Sequence, residues 1–147
     1  MVGETVSLQA RALAWTDLQQ GRVAEWEFTV SESDMTAFAL LSGDTNPLHT
    51  DDAFARSRGF EGRVVYGALL SAQLSRLVGM EMPGRDGVFV GMNMTFAKPV
   101  YVGRPVMLQA EITEVSEAAS LIVIKVQLRS DDRVVAKGKV EAILRHG

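Results

Sequence analysis

The sequence predicts an α+β fold in which an antiparallel sheet wraps one long buried helix. Residues 66–78 carry apolar side chains around nearly the whole helical circumference, between Gly67 and Gly79, and such a helix must be enclosed by other structure. Four segments of alternating polar and apolar residues follow, with no helical pattern among them: Val88–Phe96, Val106–Thr113, Leu121–Arg129 and Val134–Leu144. The last two meet across Ser130-Asp131-Asp132-Arg133, a hairpin signature. With 147 residues, 47% of them hydrophobic, the chain has the size of one domain with its own core.

In chain order, residues 1–22 have mixed composition and read as an N-terminal arm docking on a domain of residues 23–147. From Val23 to Val30 apolar residues alternate with Glu25, Glu27 and Thr29, the period of a half-buried strand. Ser33 is placed to cap a short helix from Asp34 to Ser42. Met35, Phe38, Ala39 and Leu41 recur there at helical spacing, and Gly43 stands at the stop. A second short helix opens on Thr50, Asp51 and Asp52, whose carboxylates suit a helix N-terminus, and ends at Gly59. In the strand from Val88 to Phe96, strict alternation puts Val88, Val90, Met92, Met94 and Phe96 on one face.

Composition narrows the function. A net charge of -3 and a pI near 5.4, without clustered Lys and Arg, leave no electrostatic footprint for nucleic acid or an anionic membrane. The absence of cysteine excludes a thiol nucleophile, disulfides and thiolate metal sites. Met1 to Arg11 lacks the apolar core of a signal peptide, and no apolar run approaches the ~20 residues needed to span a bilayer. A cytoplasmic location is the expectation.

The chemistry concentrates in Ser42-Gly43-Asp44-Thr45-Asn46-Pro47-Leu48-His49. Gly43 and Pro47 break helix, and Pro47 biases Asn46 away from the helical region, so the expectation is a tight irregular loop carrying Asp44 and His49. A carboxylate can orient an imidazole or share a proton with it near neutral pH. An N-capping Asp beside a surface His is the bland alternative. Asp44, His49, Asp51 and Asp52 could also form an oxygen-rich metal site, but a single His without a second cluster argues against it. Gly67 either admits a close backbone approach or lets the helix pack tightly. Ser75 either serves the site or bonds back to a carbonyl one turn earlier.

These residues resemble the MaoC-type dehydratases, including the R-specific enoyl-CoA hydratases of the hotdog fold. The likeness rests on Ser42 to His49, on Val65-Tyr66-Gly67 at the head of the buried helix with Ser75 further along it, and on Gly91 and Phe96-x-x-Pro99-Val100-x-Val102-Gly103. It covers roughly residues 23–144. The resemblance implies that Asp44 and His49 hold one water and act as base and acid, that the Gly67 N–H polarises a thioester carbonyl, and that Ser75 hydrogen-bonds near Asp44. Asn46 shapes the loop at the substrate's edge. One departure stands out: Tyr66 occupies the position where the family usually has His. It is expected to line the acyl or thioester end of the substrate pocket without transferring a proton, so that Tyr66→Phe keeps most activity.

The resemblance thus implies reversible hydration of a trans-2-enoyl-CoA, or the acyl-carrier-protein thioester, to the (R)-3-hydroxyacyl thioester, with no metal and no bound cofactor. Hotdog thioesterases and non-catalytic acyl-thioester-binding subunits are the alternatives. A single sheet around one helix leaves edges needing cover, and the family dimerises, so a homodimer or an assembly of dimers is expected.

Overall fold

The computed structural model describes residues 9–146. Five strands, β1 (Val23–Thr29), β2 (Gly87–Phe96), β3 (Pro105–Ser116), β4 (Leu121–Ser130) and β5 (Arg133–Leu144), form one sheet in the order β1-β3-β4-β5-β2, antiparallel at every pairing. Between β1 and β2 the chain forms four α-helices: α1 (Glu32–Ser42), α2 (Pro47–Thr50), α3 (Asp52–Ser57) and α4 (Gly67–Arg76). A π-helical turn, Leu77–Glu81, continues α4. This is the expected α+β architecture with a sheet wrapped on one helix.

The core follows from the two periodicities. Val106, Leu108, Ala110 and Ile112 of β3 alternate inward, as do Ile122, Ile124, Val126 and Leu128 of β4. They form one continuous cluster with Leu70, Leu74 and Leu77 of the central helix. Trp26 of β1 joins it, and its indole N–H donates to Gln73 Oε1 at 2.9 Å, satisfying a polar group at the sheet–helix junction. The helix is not buried on every side, however. Ala68, Ala72 and Ser75, at helical spacing, form an exposed stripe opposite its leucine face.

The β4–β5 hairpin turns at Asp131 and Asp132, both with positive φ (51° and 59°). That geometry matches the twist of the flanking strands, and Asp tolerates it better than most residues. The β2 expectation needs correction. A bulge between Phe89 and Gly91 resets the alternation: Phe89 pairs with inward Ala142, Val88 with Ile143 on the outer face, and Met92, Met94 and Phe96 face inward after the bulge. β2 is an edge strand, and Val88, Phe89, Val90, Met92 and Phe96 are all exposed on it.

Ahead of β1, described residues touch the rest of the chain. Ala12 bridges to Gly84, the Gly21 N–H donates to Ile112 O at 2.8 Å, and Leu18 is buried. Residues 1–8 of the arm lie outside the described residues. No described helix is long and apolar enough to cross a membrane.

Gly138 of β5 pairs with Met94, and a Cβ added there would land on the Asn93 carbonyl oxygen. Gly138→Ala must push β2 away from β5, with an expected loss of about 2–4 kcal/mol and a Tm lower by roughly 5–15 °C. Thermal unfolding of the variant checks this; an unchanged Tm would mean that the strands need no such close approach.

Candidate active site

The loop is built from helix ends. Ser31, not Ser33, caps α1: its Oγ accepts from the Asp34 N–H at 3.1 Å, while Asp34 Oδ2 accepts from the Ser31 N–H at 2.9 Å. This reciprocal capping box starts the helix two residues earlier than expected. Gly43, at φ 76°, ends α1 in the left-handed conformation, and its N–H returns to Ala39 O. Leu41, expected inside, is 86% exposed, and its neighbour Leu40 is 81% exposed.

Asp44 follows. Its Oδ1 accepts from the Asn46 N–H at 3.0 Å, and its own N–H donates to Ser42 Oγ at 3.1 Å. Asn46 Oδ1 accepts from the Leu48 N–H at 2.9 Å and caps α2, with Pro47 in its first turn. The expected irregular loop is therefore half helix, because an Asn cap followed by Pro starts a helix as readily as it breaks one. His49 sits on that turn. Asp51 caps α3 through the Phe54 N–H at 3.1 Å.

His49 is fixed from behind. Its Nδ1 lies 2.6 Å from Val64 O, an acceptor only, so Nδ1 carries a hydrogen and the neutral form of the ring has its lone pair on Nε2. Val64 is held in turn, since its N–H donates to Leu48 O at 3.1 Å and it bridges to Tyr101. The preceding residue, Arg63, pairs with Glu32 of α1 and with Asp52 of α3, and its N–H donates to Asp52 Oδ1 at 2.9 Å. The hydrogen bond to Glu32, reinforced by the two carboxylate charges, raises the Arg63 guanidinium above its ordinary range.

A cavity of about 350 Å³ opens beside the imidazole, lined by His49, Gly67, Phe60, Val64, Leu70 and Phe96 among others. Gly67 is the first residue of α4, and its N–H has no acceptor among the described residues. The Phe96 ring lies over it: a Cβ at Gly67 would sit 3.1 Å from that ring. The structure thus brings His49 and Gly67 to one apolar cavity, with Asp44 on the same short turn as His49. No hydrogen bond joins the Asp44 carboxylate to the imidazole among the described residues.

Two expectations change. Ser75 lies eight residues past Gly67, about 12 Å along the helix axis at 1.5 Å per residue. It is exposed and makes no hydrogen bond to Asp44 within the chain. Tyr66 does not line the cavity. It is 2% exposed, its ring stacks on His49 with centroids 4.0 Å apart, and its hydroxyl donates to the Asp44 main-chain carbonyl at 2.6 Å. Burial, and then the Asp44 carboxylate, raise the phenol above its usual range, so it stays protonated. The anchoring carbonyl of Val64 was missed altogether, because a main-chain acceptor leaves no mark on residue type. Among the described residues no group of three or more His, Cys, Asp or Glu is arranged to hold a metal ion.

The arrangement is that of a sheet-wrapped helix whose N-terminus shares one cavity with an anchored imidazole. The chain belongs to the MaoC like domain family, whose model matches residues 15–134. Among curated relatives, an (R)-specific enoyl-CoA hydratase of Aeromonas caviae is 38% identical over 100 residues, 68% of this chain and 75% of the relative. A mitochondrial 3-hydroxyacyl-[acyl-carrier-protein] dehydratase of Arabidopsis thaliana is 32% identical over 133 residues, 88% of this chain and 79% of the relative. The solved (R)-hydratase from A. caviae involved in PHA biosynthesis superposes with a TM-score of 0.83 at 31% identity, over 87% of this chain and 98% of that one.

The Val64 anchor predicts that neutral His49 is the Nδ1–H tautomer. Long-range ¹H–¹⁵N correlation at alkaline pH should show a protonated Nδ1 and an unprotonated Nε2, and the opposite tautomer would remove the anchor from the site.

Proposed function

We propose that this chain catalyses reversible addition of water to trans-2-enoyl thioesters, giving the (R)-3-hydroxyacyl thioester. The observation that carries the reading is the shared cavity, lined both by His49, whose Nδ1 is held from behind by Val64 O, and by Gly67, whose N–H has no acceptor among the described residues. The relatives named as (R)-specific enoyl-CoA hydratase and 3-hydroxyacyl-[acyl-carrier-protein] dehydratase support it.

The mechanism follows from where charge develops. Attack of water oxygen at C3 pushes electrons onto the thioester oxygen, and the Gly67 N–H at the positive end of α4 is a preorganised donor for that oxygen. The missing Cβ at Gly67 makes room for the Phe96 ring, which walls the cavity beside this N–H. Asp44 and His49 Nε2 hold the water between them; the pair takes one proton from it as its oxygen bonds to C3, and returns that same proton to C2 as the electrons come back from the thioester oxygen, so H and OH add across the double bond and the pair ends as it began. The charge remains on side chains and on the conjugated oxygen throughout, so the step needs neither metal nor bound cofactor.

The acting unit is proposed to be a homodimer, alone or in an assembly of dimers. The β2 edge offers unpaired main chain together with exposed Val90 and Met92, and α4 offers its Ala68–Ala72–Ser75 stripe. A second copy covering both would hide an edge that otherwise invites aggregation. Light scattering at micromolar concentration should report at least a dimer, and Val90→Lys with Met92→Lys should shift it toward monomer; a monomeric wild type would remove this part of the proposal.

The chemistry is tested by a double-mutant cycle on hydration of crotonyl-CoA, or of a longer enoyl-CoA if that is a poor substrate. Asp44→Asn and His49→Ala should each lower kcat by about 100- to 10,000-fold, and the double variant should cost little more, because both serve one proton-transfer step. Multiplying losses, or an S-configured product, would reject the shared water. A parallel free-thiol assay separates hydration from thioester hydrolysis, and the absence of both activities would favour a binding subunit.

A further inference from the structure

Tyr66 is attached to every part of the proposed machinery. Its ring lies against the His49 imidazole at 4.0 Å, with planes 27° apart, and Phe38 backs it at 4.7 Å. Its hydroxyl donates to the Asp44 carbonyl at 2.6 Å. Its own residue is the N-cap of α4, so its carbonyl carbon bonds directly to the Gly67 nitrogen. The two ends of the Asp44–His49 turn are thus referred to a single rigid body that also carries the oxyanion donor. Tyr66 is 2% exposed and is not among the residues lining the cavity, so it acts on the site through His49 and Asp44. A phenol kept neutral by burial can serve the Asp44 carbonyl only as a donor.

We propose that Tyr66 is a positioning residue that sets the separation of Asp44 and His49 relative to the Gly67 N–H; its effect on rate rests on the hydratase reading above. The ring and the hydroxyl have separable tasks. The ring is a plate that holds the imidazole against rotation, and the hydroxyl is a clamp on the main chain that aims the Asp44 carboxylate. An imidazole at this position is shorter than a phenol and could not reach the same carbonyl from the same backbone, so the clamp is a property of Tyr here. Asp44 is exposed, so its carbonyl can turn to water when the clamp is lost. The fold then survives while the geometry loosens.

The test compares Tyr66→Phe, which keeps the plate and loses the clamp, with Tyr66→Leu, which loses both. In Tyr66→Phe, Tm should hold, KM should change less than about threefold, and kcat should fall about 10- to 100-fold, the scale of a small misplacement of a catalytic group. The Thr45 amide, which shares a peptide group with the Asp44 carbonyl, should move in the ¹H–¹⁵N spectrum while the His49 ring signals stay. In Tyr66→Leu both sets should move and kcat should fall further. Unchanged kcat in Tyr66→Phe overturns the proposal, as does a loss of kcat that tracks equal losses in KM and Tm. If the wild type proves not to hydrate enoyl thioesters, the spectra still decide: displaced Thr45 signals sustain the positioning role, and unmoved ones reject it.

Discussion

The burial of one face of α4 in the concave side of the sheet is the constraint on which the rest of this molecule depends. Leu70, Leu74 and Leu77 are withdrawn from water against β3 and β4, and fully burying a side chain of this size is worth roughly 1.5–3 kcal/mol. A helix seated that firmly has no freedom to slide. Its first residue, Gly67, therefore presents its N–H at a fixed point, and the residue before it, Tyr66, is fixed with it. The site is assembled by bringing other pieces to that point.

Two polar systems bring them. On one side the capping box of α1, the left-handed Gly43 and the Asn46 cap of α2 fold a short stretch of sequence into a turn whose direction is set by main-chain hydrogen bonds. On the other side, residues 60–65 form a strap held to α3 by Asp52, to α1 by Glu32, and to the chain before β3 by the Val65 N–H to Val100 O bond at 2.8 Å. His49 lies between the two and takes its orientation from the strap, through the Val64 carbonyl. Each is tied to the core by a buried apolar residue, Met35 in α1 and Val65 in the strap. Both convert the position of the core into the position of a few polar atoms.

Sequence was most informative where one local rule decided the outcome. Alternation in β3, β4 and β5 could be read directly, because a half-buried strand must follow period two, and Asp131-Asp132 announced its hairpin. The Asp44-to-His49 stretch stood out because Gly, Asn and Pro so close together demand a special backbone. Legibility failed where two rules competed or where partners were distant in sequence. Asn46-Pro47 reads as a breaker and as a starter, and only tertiary context chose the latter. Val88 to Phe96 reads as period two only if Phe89 is passed over, and Gly91 sits where the register shifts; the bulge that moves Val88 to the other face left this faint mark, which the alternation of the other residues outweighed. The leucine pair at 40 and 41 fits an amphipathic helix in pattern but not in place. Tyr66 could be seen as unusual, yet its task depends on what lies above it and below it, and residue type does not carry that.

The strap has one further property, which comes from what fastens it. Arg63 pairs with Glu32 and Asp52, and Arg104 joins Glu61 to Asp131 of the distant hairpin, all at or near the surface. Ion pairs in such places are screened over a Debye length of about 8 Å at physiological ionic strength and about 3 Å at 1 M, whereas leucines against a sheet are not. Salt therefore acts unevenly on this protein. It slackens the fastening behind the imidazole while leaving the helix seated, so the placement of His49 has a narrower ionic range than the fold that carries it.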